Sequence, residues 1–329
     1  NIAGGQRFKE SKNTKIIIPV LILVLIIGAF FVFFPKQNEN EIVKIGYLPM
    51  TASMPLFVAQ EKGYFLEQNI KVELIEFQTS NQLTEALVRG DIQVEAASSS
   101  SVTATILQKD PNALKVFMVN SFDKENSISA LIIKKDSNIS SVAELKGKKV
   151  GSFPGSTTTA HARIYLEQNN AYDKNTQIIE LAPGLQLQAL SSGSVDAIMS
   201  LEPIPTIGRM KNISKTLVHA LIETEVLVPF IGGSYSFNKD FADTATSSKI
   251  VIAMEKAVNF MRENPEESRP LLVEYTPLEQ DISSEVPLPN TLKLDEIDIE
   301  NFQMMVAFLI KEKILSSQIN ISNAIYERR

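Results

Sequence analysis

The sequence predicts an α/β protein with two similar lobes facing each other across a cleft, preceded by one N-terminal transmembrane helix. Two observations predict it. A unit of short apolar strands alternating with helical stretches occurs twice in the same order, and a charge-free apolar run, Ile16–Phe34, precedes both copies. The repeat is visible in three places. Lys44-Ile45-Gly46-Tyr47-Leu48-Pro49 resembles Lys149-Val150-Gly151-Ser152-Phe153-Pro154. Leu66-Glu67-Gln68-Asn69 recurs as Leu166-Glu167-Gln168-Asn169. Leu87-Val88-Arg89-Gly90-Asp91-Ile92 resembles Leu190-Ser191-Ser192-Gly193-Ser194-Val195. The matched segments lie roughly 100 residues apart each time, which a chance match does not explain.

The apolar run is long enough to cross a bilayer: as a helix it reaches about 28 Å at ~1.5 Å per residue, against a hydrocarbon core of ~30 Å. Arg7, Lys9, Lys12 and Lys15 precede it and Glu39 and Glu41 follow it. The excess of positive charge on the N-terminal side predicts a cytoplasmic tail over 1–15, an anchor over 16–34, a linker over 35–42 and an extracytoplasmic remainder. The run ends in Phe33, Phe34 and Pro35 rather than in the small residues of a cleavage site, which favours a retained single-pass anchor over a removed leader.

Composition excludes several kinds of chemistry. The net charge is −6 with no basic block, so a nucleic-acid partner is not expected. There are no cysteines, which removes thiolate metal sites and thiol nucleophiles. The only histidines, His161 and His219, are too few and too far apart for a His-based metal cluster. Neither a phosphate-binding glycine loop nor a serine-nucleophile elbow is present, so no catalytic residue, metal or cofactor is expected.

Each copy of the unit reads as strand, helix, strand, helix, strand. The strands are Val43–Leu48, Lys71–Phe77 and Ile92–Ala96 in the first copy, and Lys149–Phe153, Thr176–Leu181 and Val195–Met199 in the second. The helices are Met54–Asn69 and Asn81–Val88, then Thr157–Asn169 and Leu185–Leu190. This alternation implies parallel sheet wrapped by helices. Strands at Ala130–Lys134 and Tyr235–Asn238 carry the chain between lobes, with Gly232-Gly233 as a candidate hinge. Helical patterns over Ile250–Arg262 and Asn301–Lys311 return to the first lobe. The expected division is lobe one over 43–130 and 231–329, and lobe two over 131–230.

In open α/β sheets ligands bind beyond the carboxyl ends of the strands, near helix N-termini. That rule selects two sets of loops. In the first copy they hold Met50, Ser53 and Met54, then Thr79, then Ser99 and Ser100. In the second they hold Gly155, Ser156, Thr157 and Thr158, then Glu202 just past a buried strand. Phe230 adds a ring that could stack on a ligand. Hydroxyls and bare N–H groups can hold ligand oxygens, and the Glu202 carboxylate can accept from a ligand amine or pair with a base such as Arg209. His161 reads more readily as a packed residue than as a ligand contact.

Several segments together resemble a known family. Ile45-Gly46-Tyr47-Leu48-Pro49, Pro55-Leu56-Phe57-Val58-Ala59 and Glu61-Lys62-Gly63-Tyr64-Phe65 resemble the opening of the nitrate/sulfonate/taurine-type solute-binding proteins of ABC importers, a group that includes binders of bicarbonate and thiamine-pyrimidine precursors. Gly90-Asp91-Ile92, Val142–Gly151, Gly155-Ser156-Thr157 and Val195-Asp196-Ala197 with Glu202-Pro203 follow in the family's order. The resemblance implies a type-2 periplasmic-binding-protein fold that closes on a small polar solute. Its implied partners are that solute, an ABC permease with its ATPase, and here the lipid bilayer through the anchor. A ligand-sensing receptor is the alternative function. The enzymes that share the fold, resembling thiamine-pyrimidine synthase, rely on a cysteine-rich motif absent here.

Overall fold

The computed structural model describes residues 42–125, 127–221 and 230–328. The expected anchor at 16–34 lies outside these residues; among the described ones, no helix is long and apolar enough to cross a membrane.

The chain begins with β1 (Ile42–Tyr47), a tight turn over Thr51–Ser53, α1 (Met54–Glu61), α2 (Tyr64–Glu67), β2 (Lys71–Glu76), α3 (Ser80–Arg89), β3 (Val94–Ser99), α4 (Ser100–Lys109) and β4 (Leu114–Phe122). It then builds β5 (Ser129–Lys134), β6 (Lys149–Ser152), α5 (Ser156–Gln168), β7 (Gln177–Glu180), α6 (Pro183–Ser192), β8 (Ala197–Leu201), α7 (Ile204–Met210) and β9 (Ser214–His219). It returns through β10 (Phe230–Asn238), α8 (Lys239–Ala242), α9 (Ala245–Glu263), α10 (Pro265–Ser268), β11 (Thr291–Leu292) and α11 (Ile299–Lys311).

Two sheets result. The first runs β11-β4-β10-β3-β1-β2 and the second β7-β6-β8-β5-β9. The repeated units are parallel as expected: β1 pairs with β2 and β3, and β6 with β7 and β8. The sheets as wholes are mixed, because β10 runs antiparallel to β3 and β4, and β5 antiparallel to β8 and β9. Each of these strands enters its sheet from the other lobe, so it arrives against the direction of the strands already there.

Three local readings change. The helix expected over Met54–Asn69 is broken at Gly63, whose left-handed φ of 71° ends α1 and starts α2. The strand β4 carries no alternation in its sequence, LKVFMVNSF, because it is buried on both faces. Gly232 and Gly233 lie within β10, and Gly233 pairs with Ser99 on one side and Asn120 on the other. A Cβ on Gly232 would sit 2.6 Å from the Phe122 ring, so close packing is what the position requires.

The second sheet shows its sidedness plainly. Leu131 and Ile133 join the apolar cluster under α5, while Ala130 and Ile132 join the one under α6. The first lobe has a much larger core, centred on Phe57, Phe117, Tyr235, Phe237 and Phe302. Phe153, Ile164, Ile204 and Ile207, all from the second lobe's chain, pack with that core rather than with their own.

Glu95 on β3 is fully buried, and neither carboxyl oxygen has a hydrogen-bond partner, although the Thr84 and Ser236 hydroxyls stand beside it. Burial pushes its pKa up to about 7. The folded state therefore keeps a proton that the unfolded chain has released between about 4.5 and 7. Stability from this group is complete below that window and is lost as pH rises through it. Glu95→Gln is expected to raise Tm by several degrees more at about pH 8 than at about pH 5. Equal shifts at both pH values in calorimetry would show that Glu95 does not titrate in this way.

Candidate functional site

The strand ends of both lobes open on one cavity of about 100 Å³. Pro49, Met50 and Ala52 reach it from the end of β1, Gln78, Thr79 and Ser80 from the end of β2, and Ala97 and Ser99 from β3. The second lobe contributes Phe153, Pro154, Thr158, His161, Pro183 and Leu201. Phe122, Ile128, Phe230, Gly232 and Gly233 come from the strands and connections that join the lobes.

Local hydrogen bonds hold these loops in place. The Ala52 carbonyl accepts from Asn120 Nδ2 at 2.9 Å and from the Tyr235 hydroxyl at 2.5 Å, fixing the Thr51–Ser53 turn against β4 and β10. The Thr79 hydroxyl accepts from Gln82 N at 3.2 Å and caps α3. The Ser80 hydroxyl accepts from Ser99 N at 3.0 Å, tying α3 to the end of β3. The repeat keeps an equivalent bond in each lobe: Thr84 Oγ1 lies 2.7 Å from Ser98 Oγ, and Ser200 Oγ donates to Gln186 Oε1 at 2.6 Å.

The residues read from the sequence divide into three groups. Met50, Thr79, Ser99, Thr158 and Phe230 line the cavity. Ser53, Met54, Ser100, Gly155 and Glu202 are not among its lining residues. Ser53 is fully buried and donates to the Leu48 carbonyl at 2.9 Å, and Met54 is core. Ser100 Oγ is buried without a partner. Gly155 lies at the lobe boundary, where a Cβ would sit 3.8 Å from Asn81 Oδ1 of the first lobe. The side chains of Ser156 and Thr157 lie outside the described residues.

Glu202 is not a solvated strand end, and it is not among the residues that line the cavity. It is buried, and its carboxylate accepts from Thr206 N at 3.2 Å and Thr206 Oγ1 at 3.1 Å in the first turn of α7. Burial raises its pKa to about 7, against the opposing effects of the Thr206 bonds and the Arg209 charge. Its backbone carbonyl has a different role: it accepts from Thr51 N at 3.3 Å and Thr51 Oγ1 at 3.0 Å, across the lobes. Nearer the surface, Lys211 pairs with Glu279 at 2.5 Å and Arg209 with Glu285 at 3.9 Å, again between lobes.

Sequence reading missed the apolar character of the cavity and one polar residue, His161. Its ring is buried, meets the Phe230 ring at 6.1 Å and the Phe308 ring at 6.3 Å, and has no partner for Nε2. Burial lowers its pKa to about 4, so at neutral pH it is uncharged. The signal was its spacing of three from Thr158, which places both on one face of α5. Tyr47, at the end of β1, packs against Phe57 with ring centroids 5.3 Å apart.

The Thr51–Glu202 link predicts a measurable effect. Thr51→Val keeps the side-chain shape and removes the hydroxyl donor, a loss of about 1 kcal/mol. The ligand-free variant is expected to show a larger radius of gyration by small-angle X-ray scattering, because fewer molecules hold the lobes together. An unchanged radius and unchanged Tm would remove this bond from the closing interaction.

Comparison with known proteins agrees with this geometry. Over 280 residues the chain is 26% identical to a protein of Bacillus subtilis (strain 168) named "Putative aliphatic sulfonates-binding protein", with 82% of each chain covered. Over 173 residues it is 28% identical to the taurine-binding periplasmic protein of Escherichia coli (strain K12), covering 52% of this chain and 51% of that one. The crystal structure of the periplasmic aliphatic sulphonate binding protein of Escherichia coli superposes with a TM-score of 0.68 at 19% identity, covering 88% of this chain and 93% of the other. That likeness gives the fold, a two-lobed periplasmic-binding architecture. Residues 50–268, more than half of the sequence, match one family throughout, and the chain belongs to it: the family described as NMT1/THI5 like.

Proposed function

We propose that this chain is the extracytoplasmic solute-binding subunit of an ABC importer, capturing a small solute by closure of its lobes without chemical change. The observation that carries this reading is a cavity at the strand ends lined from both lobes, by Met50, Thr79 and Ser99 on one side and Thr158 on the other. A ligand that touches both lobes stabilises the closed arrangement by its differential affinity for it. The family relationship and the names of its relatives, which bind sulfonates and taurine, support a solute receptor of this kind.

In this reading Met50, Thr79, Ser99, Thr158 and Phe230 contact the solute. The closed form is the one presented to a permease and its ATPase. The sequence supports a further part of the proposal, that Ile16–Phe34 holds the receptor to the membrane with its N-terminus in the cytoplasm.

The test is a ligand screen on the purified full chain, with nitrate, bicarbonate, taurine, alkanesulfonates and aminopyrimidines. A true solute raises Tm by mass action and lowers the radius of gyration as the lobes close. Phe230→Ala is expected to weaken that solute at least tenfold, since burying a Phe side chain contributes about 1.5–3 kcal/mol. A compound that raises Tm without compaction, and without sensitivity to Phe230, would count against receptor closure. For the anchor, alkaline washing of membranes should leave the chain in the pellet; release into the supernatant would disprove single-pass insertion.

A further inference from the structure

Behind the shared cavity lies a second one, of about 40 Å³, entirely within the second lobe. Ala162, Tyr165, Met199 and Leu221 form much of its wall. The two cavities share Phe153, Thr158, His161 and Leu201, so they are adjoining chambers with His161 at the boundary. We propose that the second chamber is the apolar subsite of the receptor, and that its solute is an uncharged, single-ring-sized molecule whose hydrogen-bonding group meets His161 Nε2. This rests on the receptor reading above and names the class of solute.

Three observations support it. First, no Lys, Arg, Asp or Glu is among the described residues that line either chamber. An anion taken into such a cavity loses its hydration with no opposite charge to replace it. On the first lobe's side of the cleft, four backbone donors are engaged within the protein: Met50 N with Leu48 O, Thr51 N with Glu202 O, Ser53 N with Met50 O and Ser99 N with Ser80 Oγ.

Second, much of the rear chamber's wall is apolar, from Phe153, Ala162, Met199, Leu201 and Leu221, and of its hydroxyls Ser200 Oγ donates to Gln186 and Ser152 Oγ to the Phe153 carbonyl. An apolar cavity of about 150 Å³ accommodates benzene. The front and rear chambers together offer room of that order, which fits one ring and not a long chain.

Third, His161 Nε2 is a buried polar atom without a partner, on a side chain only 8% exposed. A polar atom left unsatisfied in this way carries a desolvation penalty that a ligand hydrogen bond would recover. The neutral imidazole can donate or accept at this nitrogen, according to its tautomer.

The experiment uses two probe panels on the full chain, read by calorimetry and thermal shift. One holds nitrate, sulfate, taurine and short alkanesulfonates; the other holds 2-aminopyrimidine, nicotinamide, benzamide and phenol, with toluene as the ring lacking a polar group. Binding is expected from the uncharged panel. His161→Phe, which keeps an aromatic ring, should weaken the polar ring compounds about tenfold and leave toluene unchanged. Ala162→Leu, which fills the rear chamber, should weaken both. Far-UV circular dichroism and the ligand-free Tm establish that each variant is folded. Binding by an anion alone overturns the solute class and leaves the receptor reading standing. Binding by uncharged rings with no loss in either variant overturns the rear chamber and His161. If neither panel binds and native mass spectrometry finds no co-purifying small molecule, the receptor reading itself falls.

Discussion

The arrangement depends on a seam between the lobes that is apolar at its centre and polar at its edge. Ile204 and Ile207 of α7, with Phe153 and Ile164, leave the second lobe's own small clusters and complete the core of the first. Beside them, the turn at Thr51 bonds to the Glu202 carbonyl. Without this seam the strand ends of the two sheets would face open solvent on separate bodies. With it, loops more than a hundred residues apart in sequence enclose a common volume. Exposed pairs such as Lys211–Glu279 span the lobes but add little energy, since solvent screens them.

The seam explains why Glu202 is so deeply placed. A carboxylate just before α7 satisfies one of the free N–H groups of the helix's first turn, that of Thr206. The same residue offers its carbonyl to the opposite lobe. Its burial costs ionisation free energy, as that of Glu95 does, and in both cases nearby hydroxyls compensate only in part. These two carboxyls favour folding at lower pH, whereas buried His161, with its lowered pKa, opposes folding as pH falls through the range from 6.5 to about 4. Their contributions act in opposite directions across windows that overlap between about 4.5 and 6.5.

Much of the fold was legible because its signals are local and repeated. Strand ends, the αL glycines Gly90 and Gly193 that close α3 and α6, and the recurring Leu-Glu-Gln-Asn segment all sit where the repeat puts them. Even the buried pairs Thr84–Ser98 and Gln186–Ser200 follow it. The loops that converge on the cavity were legible for the same reason, since the carboxyl-end rule needs only strand direction. What the sequence concealed was set by tertiary contact. The run of β4 shows no period because both its faces are covered. The burial of Glu202 against Thr206 was not legible, because it depends on how α7 docks. His161 looked like packing because its burial is real; only the cavity beside it gives that burial another meaning.

Gly232 carries one last implication. Its missing side chain lets the aromatic rings of Phe122 and Phe230 close in from either side, within 3 Å of where a methyl group would stand. The floor of the chamber is thus shaped by an atom that is not there. Any lineage that acquired a larger residue at this point would have to move a ring, and a receptor of this build could exchange one cargo for another through a single small step in the joining strand, with both lobes left as they are.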